Sequence, residues 1–320
     1  MLLQTQSRRH FLKSTGLATA AALVPANLLA QNYKEATAPG LVEAALKAAP
    51  SFTVTAQKLR GGISVLLGAG GNIAVLPGSD GTLLVDSGIP GTGPQISKAL
   101  AGITSDPIKH LINSHWHFDH TGGNDWVHAA GARILAQENT RKHLSVDTRV
   151  AGWAYTFPAV PAAAIPSEVF ATEKSLRING ANIALKYYPP AHTDSDISIH
   201  FVDADIFHVA DTFWNGYFPF IDYSTGGSID GTIRATEANI AKVTDKMIII
   251  PGHGPVADKA QLVFYRDLLV SIREKVAALK KQGRTIQEVI AADPTAPHDE
   301  KWGSGFINAK VFTGLVYEGV

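Results

Sequence analysis

The sequence contains no cysteine among its 320 residues. Disulfide cross-links, thiolate metal ligands and a cysteine nucleophile are thereby excluded, so any metal has to be held by nitrogen and oxygen alone. Net charge is missing too: 28 Lys and Arg balance 28 Asp and Glu. That balance argues against a nucleic-acid partner, which asks for a basic face. After residue 30 no run reaches the roughly 18 apolar residues that a membrane-spanning helix needs, and no short repeat period is visible. What remains is an ordinary globular mix, 45% hydrophobic and 18% charged, with apolar mass for a large core.

The first thirty residues differ from the rest. Arg8, Arg9 and Lys13 stand without any acidic residue, and "STGLATAAALVPANLLA" follows as a weakly apolar stretch ending in small residues at Ala30. A basic head, a modest apolar run and a small-residue end describe an export signal and not a membrane span. The pair Arg8-Arg9 followed by Phe-Leu-Lys resembles the twin-arginine type. That resemblance implies passage through the twin-arginine export machinery in the folded state. It also implies a mature protein beginning near Gln31, located in the periplasm or otherwise outside the cytoplasm, without stable membrane insertion.

The body alternates between two textures. Residues 63–86 read as three antiparallel strands, "ISVLL", "NIAVLP" and "TLLVDSG", joined by glycine-rich turns. Helices are predicted over 93–101 and 124–130, with strands at "HLINS" and "ARILA". Residues 151–170, with Pro158, Pro161 and Pro166, read as a long irregular loop. Strands return at "ANIALKYYP", "DISIHFV" and "IFHVAD", then a helix over 232–243, the strand "KMIIIPG", and a long helix from about Asp258. That helix carries Leu262, Tyr265, Leu269, Ile272, Val276 and Leu279 at steps of three and four, one buried stripe that ends before Gly283. Two similar halves, each a sheet needing helices over one face, pack most economically as two sheets back to back with helices outside. No linker separates them, so residues 31–320 are expected to form one domain.

The rare residues collect where strands end. His115, His117, Asp119 and His120 follow "HLIN", His192 follows "ALKYYPP", Asp211 follows "IFHVA" and His253 follows "MIIIPG". In an extended loop, side chains two apart point the same way, so His115, His117 and Asp119 are expected to converge and His120 to turn toward a neighbouring point. Gly122 and Gly123 let backbone approach closely there.

The run His115-Trp116-His117-Phe118-Asp119-His120, with "PPAHTDSD", "VADTF" and "PGHGP" downstream, resembles the metallo-β-lactamase superfamily over nearly the whole mature chain. The resemblance implies an α/β fold, a four-layer αββα sandwich, with a dinuclear site at the sheet edges. It implies one Zn2+ on His115, His117 and His192, a second on Asp119, His120 and His253, and Asp211 bridging the two. Two such metals share a nucleophilic hydroxide; Asp119 is the expected catalytic residue, orienting it and relaying its proton to the leaving group. Asp86, in "LLVDSG", either caps a turn or orients a ligand histidine. A bridging aspartate resembles glyoxalase II, lactonases and ester or thioester hydrolases more than the zinc lactamases, although a glutathione-binding C-terminal region is not recognisable.

Trp116, Trp214 and Tyr217 are the expected walls of a pocket for a small-molecule substrate. His110, His128, His143, His200, His208 and His298 are read as structural. Three functions fit: a zinc hydrolase of an ester, thioester, lactone or β-lactam; a dioxygenase of sulfur compounds holding one Fe2+; or a non-catalytic metal or ligand binder. Metal content and turnover separate them. Neither the substrate nor the oligomeric state follows from the sequence.

Overall fold

The structure, a computed structural model, describes residues 38–320. The export signal therefore lies outside the described residues. Fourteen strands are present among them: β1 Thr55–Lys58, β2 Ser64–Leu67, β3 Ile73–Leu76, β4 Thr82–Val85, β5 Ile108–Ile112, β6 Arg133–Gln137, β7 Thr148–Val150, β8 Tyr155–Phe157, β9 Glu168–Phe170, β10 Glu173–Ile178, β11 Ala181–Tyr187, β12 Ile197–Phe201, β13 Ile206–Trp214 and β14 Ile248–His253. One sheet has the order β1-β2-β3-β4-β5-β6-β9 and the other β10-β11-β12-β13-β14. The first is antiparallel through β4 and parallel from β4 to β9; the second is antiparallel until the parallel pair β13–β14.

Alternation along the strands builds the layers. Val65, Ala74, Leu76, Leu83 and Val85 face inward and meet Ile183, Leu185, Ile197, Ile199, Phe201, Ile206 and Ile250 of the other sheet. Their neighbours Leu66, Ile73, Val75 and Leu84 face outward, onto Ile96 and Leu100 of the helix Gly93–Ala101 and Val127 of the helix Asn124–Ala129. On the opposite side, Phe207, Val209 and Ile249 pack against the helices Ile229–Lys242, Lys259–Lys281 and Ala309–Gly319. Strands whose two faces are both apolar must be covered twice, and helix, sheet, sheet, helix is the outcome. The predicted four-layer αββα sandwich is the fold.

The long helix starts at Lys259 behind a capping box of Asp258 and Gln261 and buries Leu262, Tyr265, Leu268, Leu269, Ile272 and Val276, with Leu279 partly covered. Several segments depart from expectation. Residues 151–170 are not uniformly irregular: β8 pairs with β7, and β9 adds to the first sheet beside β6. The prolines border these three-residue strands without entering them, which an edge strand tolerates. Strand β10 was hidden in "EKSLRI", whose charges suit the edge of a sheet. The helix expected over 232–243 begins earlier, at Ile229, because Ser228 Oγ caps it by accepting from Gly231 N.

All the ligand-bearing turns emerge at one end of the sandwich, after β5, β11 and within or after the parallel pair β13–β14. Among the described residues no helix is long and apolar enough to cross a membrane.

Candidate metal centre

The chain leaves β5 at Ile112, bends through residues 114–116 and then makes one helical turn, Phe118–Thr121, with His120 N and Thr121 N donating to the His117 carbonyl. This corrects the expectation of a continuous extended loop. A helical turn rotates successive side chains by about 100°, so Asp119 leaves His115 and His117 and joins His120. Close approach fixes the turn: a Cβ at Gly122 would lie 2.1 Å from Pro90 Cδ, and one at Gly123 would lie 2.2 Å from the Ser87 carbonyl oxygen.

Three groups of ligand atoms result, each with its atoms within 4.8 Å of one another: His115, His117 and His192; His115, His120 and Asp211; and Asp119, His120 and His253. Asp211 stands between them. Its Oδ1 is 3.1 Å from His120 Nε2, and its Oδ2 is 3.3 Å from His253 Nε2, 3.4 Å from His192 Nε2 and 3.9 Å from His115 Nε2. Asp119 Oδ2 is 3.2 Å from His253 Nε2 and 3.6 Å from His120 Nε2. Despite these short separations, His115 Nε2, His120 Nε2, His253 Nε2 and Asp211 Oδ1 make no hydrogen bond among the described residues. Atoms this close without a bond are aimed at shared points between them and not at each other.

The outer partners fix which nitrogen faces inward. His192 Nδ1 lies 2.8 Å from the Phe220 carbonyl oxygen, which can only accept, so Nδ1 carries the hydrogen. His117 Nε2 donates to Asp222 Oδ2 at 3.0 Å. In their neutral forms the two rings therefore turn lone pairs toward each other, His192 Nε2 and His117 Nδ1, at 2.9 Å. Two facing lone pairs repel unless a cation lies between them. His120 is oriented likewise, Nδ1 donating to Asp86 Oδ2 at 2.8 Å. Asp86 also accepts from Ser114 Oγ and Ser114 N, each at 2.7 Å. Of its two sequence readings, orientation of a ligand histidine fits its bonds.

Charge is divided across the cluster. Burial depresses the His115 imidazole, reinforced by His120, and outweighs the opposing pull of Asp211. Burial lowers His117 as well, against the Asp222 hydrogen bond. Burial also opposes a proton on His120, but Asp211, Asp119 and Asp86 more than offset it and raise this imidazole well above its ordinary range. His253 rises to about 9 for the same reason, with burial outweighed by Asp211 and Asp119. Burial would raise Asp119, yet His120 and His253 bring it down to about 2. His115 and His117 thus present neutral nitrogens, whereas a metal entering between His120 and His253 must displace protons.

The fit to two metals is good. Donors are imidazole and carboxylate only, the set that suits Zn2+ and other borderline divalent ions. Separations of 2.9–3.9 Å between them match ligands around ions with bonds of about 2.0–2.2 Å.

Asp222 was not singled out by sequence reasoning. It is fully buried, accepts from Thr225 Oγ1 at 2.7 Å and Ser224 N at 3.0 Å, and its own N–H donates to the His192 carbonyl at 2.9 Å. It thereby braces two ligands of one group. Asp222→Asn is expected to weaken the metal held by His117 and His192 about 10–100-fold. Chelator competition checks this, the other metal serving as internal control.

The aromatic expectations divide. Trp116 is not a pocket wall: it is 2% exposed and donates from Nε1 to Thr225 Oγ1. Its ring lies 5.2 Å from that of His143 and 5.6 Å from that of Phe157. Trp214 does lie at the centre, its ring 4.1 Å from that of His253 and 6.5 Å from that of His192. Tyr217 is half-buried with its ring against Gly305. Trp153 was overlooked inside the presumed loop; its ring is 4.9 Å from His117 and stacks on Phe220 at 4.5 Å. None of His110, His128, His143, His200, His208 and His298 belongs to a ligand group among the described residues. His208, for one, is bonded to the Asn72 carbonyl.

Comparison with known proteins agrees with this geometry. The family model described as the metallo-beta-lactamase superfamily matches residues 67–256, more than half the chain. The model of the twin-arginine translocation pathway signal sequence matches residues 5–25, outside the described region. A hydroxyacylglutathione hydrolase of Erythrobacter litoralis (strain HTCC2594) is 48% identical over 46 residues, 14% of this chain and 18% of that protein. The stereoselective inverting sec-alkylsulfatase Pisa1 from Pseudomonas sp. superposes with a TM-score of 0.65 at 16% identity, over 83% of this chain and 50% of its own. A metallo-beta-lactamase from Pontibacter korlensis superposes with a TM-score of 0.56 at 16% identity, over 68% of this chain and 99% of its own. The chain thus spans a fifth or less of that curated relative and half of the alkylsulfatase. At these identities the superpositions speak to the fold alone.

Proposed function

The chain belongs to the metallo-beta-lactamase superfamily, and from that premise we propose that it is an exported, metal-dependent hydrolase of a small molecule carrying an ester, thioester, lactone or β-lactam carbonyl. The observation that carries the reading is the pair of facing lone pairs on His117 and His192, fixed by Asp222 and the Phe220 carbonyl. Such an arrangement makes sense around a cation. The bridging position of Asp211, within 4 Å of four histidines, favours two metals over one, and zinc is the ion we assign. That count favours the hydrolase over a mononuclear iron dioxygenase.

When bound, a divalent pair supplies Lewis acidity, making water nucleophilic near neutral pH and polarising a carbonyl. Asp119 does the remaining proton work. Its Oδ2 is turned to His253 and His120, whereas Oδ1 accepts no hydrogen bond among the described residues, and the side chain is 17% exposed. Oδ1 accepts a proton from the attacking water and returns it to the leaving atom. The water oxygen bonds to the acyl carbon, the bond from that carbon to the leaving oxygen, sulfur or nitrogen breaks, and the leaving atom departs protonated. Asp86 and Asp222 hold imidazoles in place and take no part in the transfer.

Hydrolysis by the metal-loaded mature chain of a panel of esters, thioesters, lactones and β-lactams tests the proposal, with turnover of at least one class expected. Metal binding with none hydrolysed would leave only the binder. Export has its own check: the twin-arginine signal needs its arginines, so Arg8→Lys with Arg9→Lys is expected to hold the chain in the cytoplasm. Cell fractionation reads this, and unaltered export would refute the assignment. We further propose that residues 31–320 fold as one domain, starting near Gln31 after signal removal.

A further inference from the structure

The centre is closed on one side and open on the other. Side chains of His115, His117, His120, His192 and Asp211 are at most 2% exposed, whereas Asp119 and His253 are 17% and 18% exposed. Substrate must approach past Asp119 and His253. Against His253 at this opening stands Trp214, 9% exposed, whose indole N–H has no hydrogen-bond partner among the described residues. A buried donor left unmatched costs about 1–3 kcal/mol, which a ligand oxygen would relieve.

Charge narrows the class of ligand. Two divalent metals would be matched by four carboxylates: Asp119 and Asp211 among the ligands, Asp86 and Asp222 behind them. No positive surplus then remains to hold an anion. Nor does a cation stand by: among the described residues every ion pair of Asp86, Asp119, Asp211 and Asp222 is with a histidine, and none is with a lysine or arginine. Bringing a carboxylate or sulfate here would bury it unpaired, a large penalty.

We infer that the substrate is uncharged around its scissile bond, an ester or lactone whose apolar acyl part lies on the Trp214 ring and whose oxygen accepts from Trp214 Nε1. This rests on the hydrolase reading and narrows it. Anionic β-lactams and sulfate esters become poor candidates.

The test pairs 4-nitrophenyl butyrate with mono-4-nitrophenyl succinate, which share a leaving group and differ in a terminal carboxylate. On the metal-loaded wild type, kcat/KM is expected to favour the butyrate by at least about 100-fold. Trp214→Phe, which keeps a ring and loses the N–H, is expected to lower kcat/KM for the butyrate about 3- to 10-fold. Butyrophenone, an unreactive neutral ketone, should perturb the indole fluorescence of the wild type and leave that of Trp214→Phe unchanged. Equal or preferred turnover of the succinate overturns the inference while leaving the hydrolase standing, as does an identical butyrophenone response in the variant. No hydrolysis of either ester, nor of any carbonyl substrate in the panel, overturns the hydrolase reading beneath it.

Discussion

Asp119→Asn, refilled with saturating metal, is expected to hydrolyse substrates with poor leaving groups about 10²–10⁴-fold more slowly than the parent, the range typical of lost general acid–base catalysis. In the proposed mechanism the side chain has two separable tasks. One oxygen, Oδ2, belongs with His253 and His120 at 3.2 and 3.6 Å. The other accepts no hydrogen bond among the described residues, on a side chain that is 17% exposed. Asparagine keeps the shape and one weak oxygen ligand but cannot accept the proton. It also removes an anionic ligand that would balance the charge of an incoming divalent ion, so metal affinity falls as well, and saturating metal is needed to isolate the chemical defect. An ester that releases 4-nitrophenolate needs no proton on its leaving group and should suffer a smaller loss. Full recovery on every substrate once metal is restored would reduce Asp119 to a ligand.

The second large effect comes from a methyl group. A Cβ at Gly252 would sit 1.8 Å from Asp211 Oδ1, 2.7 Å from the Ala210 carbonyl carbon and 2.8 Å from Asp211 N. Asp211 and Gly252 lie on the neighbouring strands β13 and β14, and the Asp211 carboxylate fits only because the facing position has no side chain. In Gly252→Ala the carboxylate must swing out, or the two strands must part. Overpacking of this kind costs about 1–3 kcal/mol, which the sandwich should survive, since its inter-sheet layer is untouched. The metal centre should not survive. We expect a folded protein with a lowered Tm whose metal affinity falls at least about 100-fold, with activity falling in step. Native metal content in the variant would show that Asp211 does not bridge from this position.

Much of the site is legible in the sequence because ligands cluster at strand ends and strands announce themselves. His115, His117, Asp119, His120, His192, Asp211 and His253 come together as the motifs imply. What the motifs cannot carry is the layer behind the ligands. Asp222 sits in "FPFIDYST", a stretch without any ligand spacing, and acquires its meaning only when the fold brings it 3.0 Å from His117. The Phe220 carbonyl that orients His192 is invisible in principle, since every residue has one. Trp116 was misread as a wall because its packing against His143 and Phe157, distant in the chain, appears only once the fold forms. Trp153 and β9 were hidden by three prolines, which mark borders of very short strands as readily as they mark loops. In the fold, the apolar runs gave both sheets, whereas the charged edge strand β10 lacked the pattern that reveals a buried one.

Metal stoichiometry on the folded mature protein tests the central claim most directly. After removal of metal and titration with Zn2+, the wild type is expected to bind two ions per chain. His115→Ala and His253→Ala should each retain one, and a different one, distinguishable because burial keeps His115 and His117 neutral at one, whereas the other must displace protons from His120 and His253. Proton release on filling should accordingly persist in His115→Ala and be reduced in His253→Ala. A wild type that saturates at one ion, or two variants that lose the same ion, would contradict the dinuclear centre.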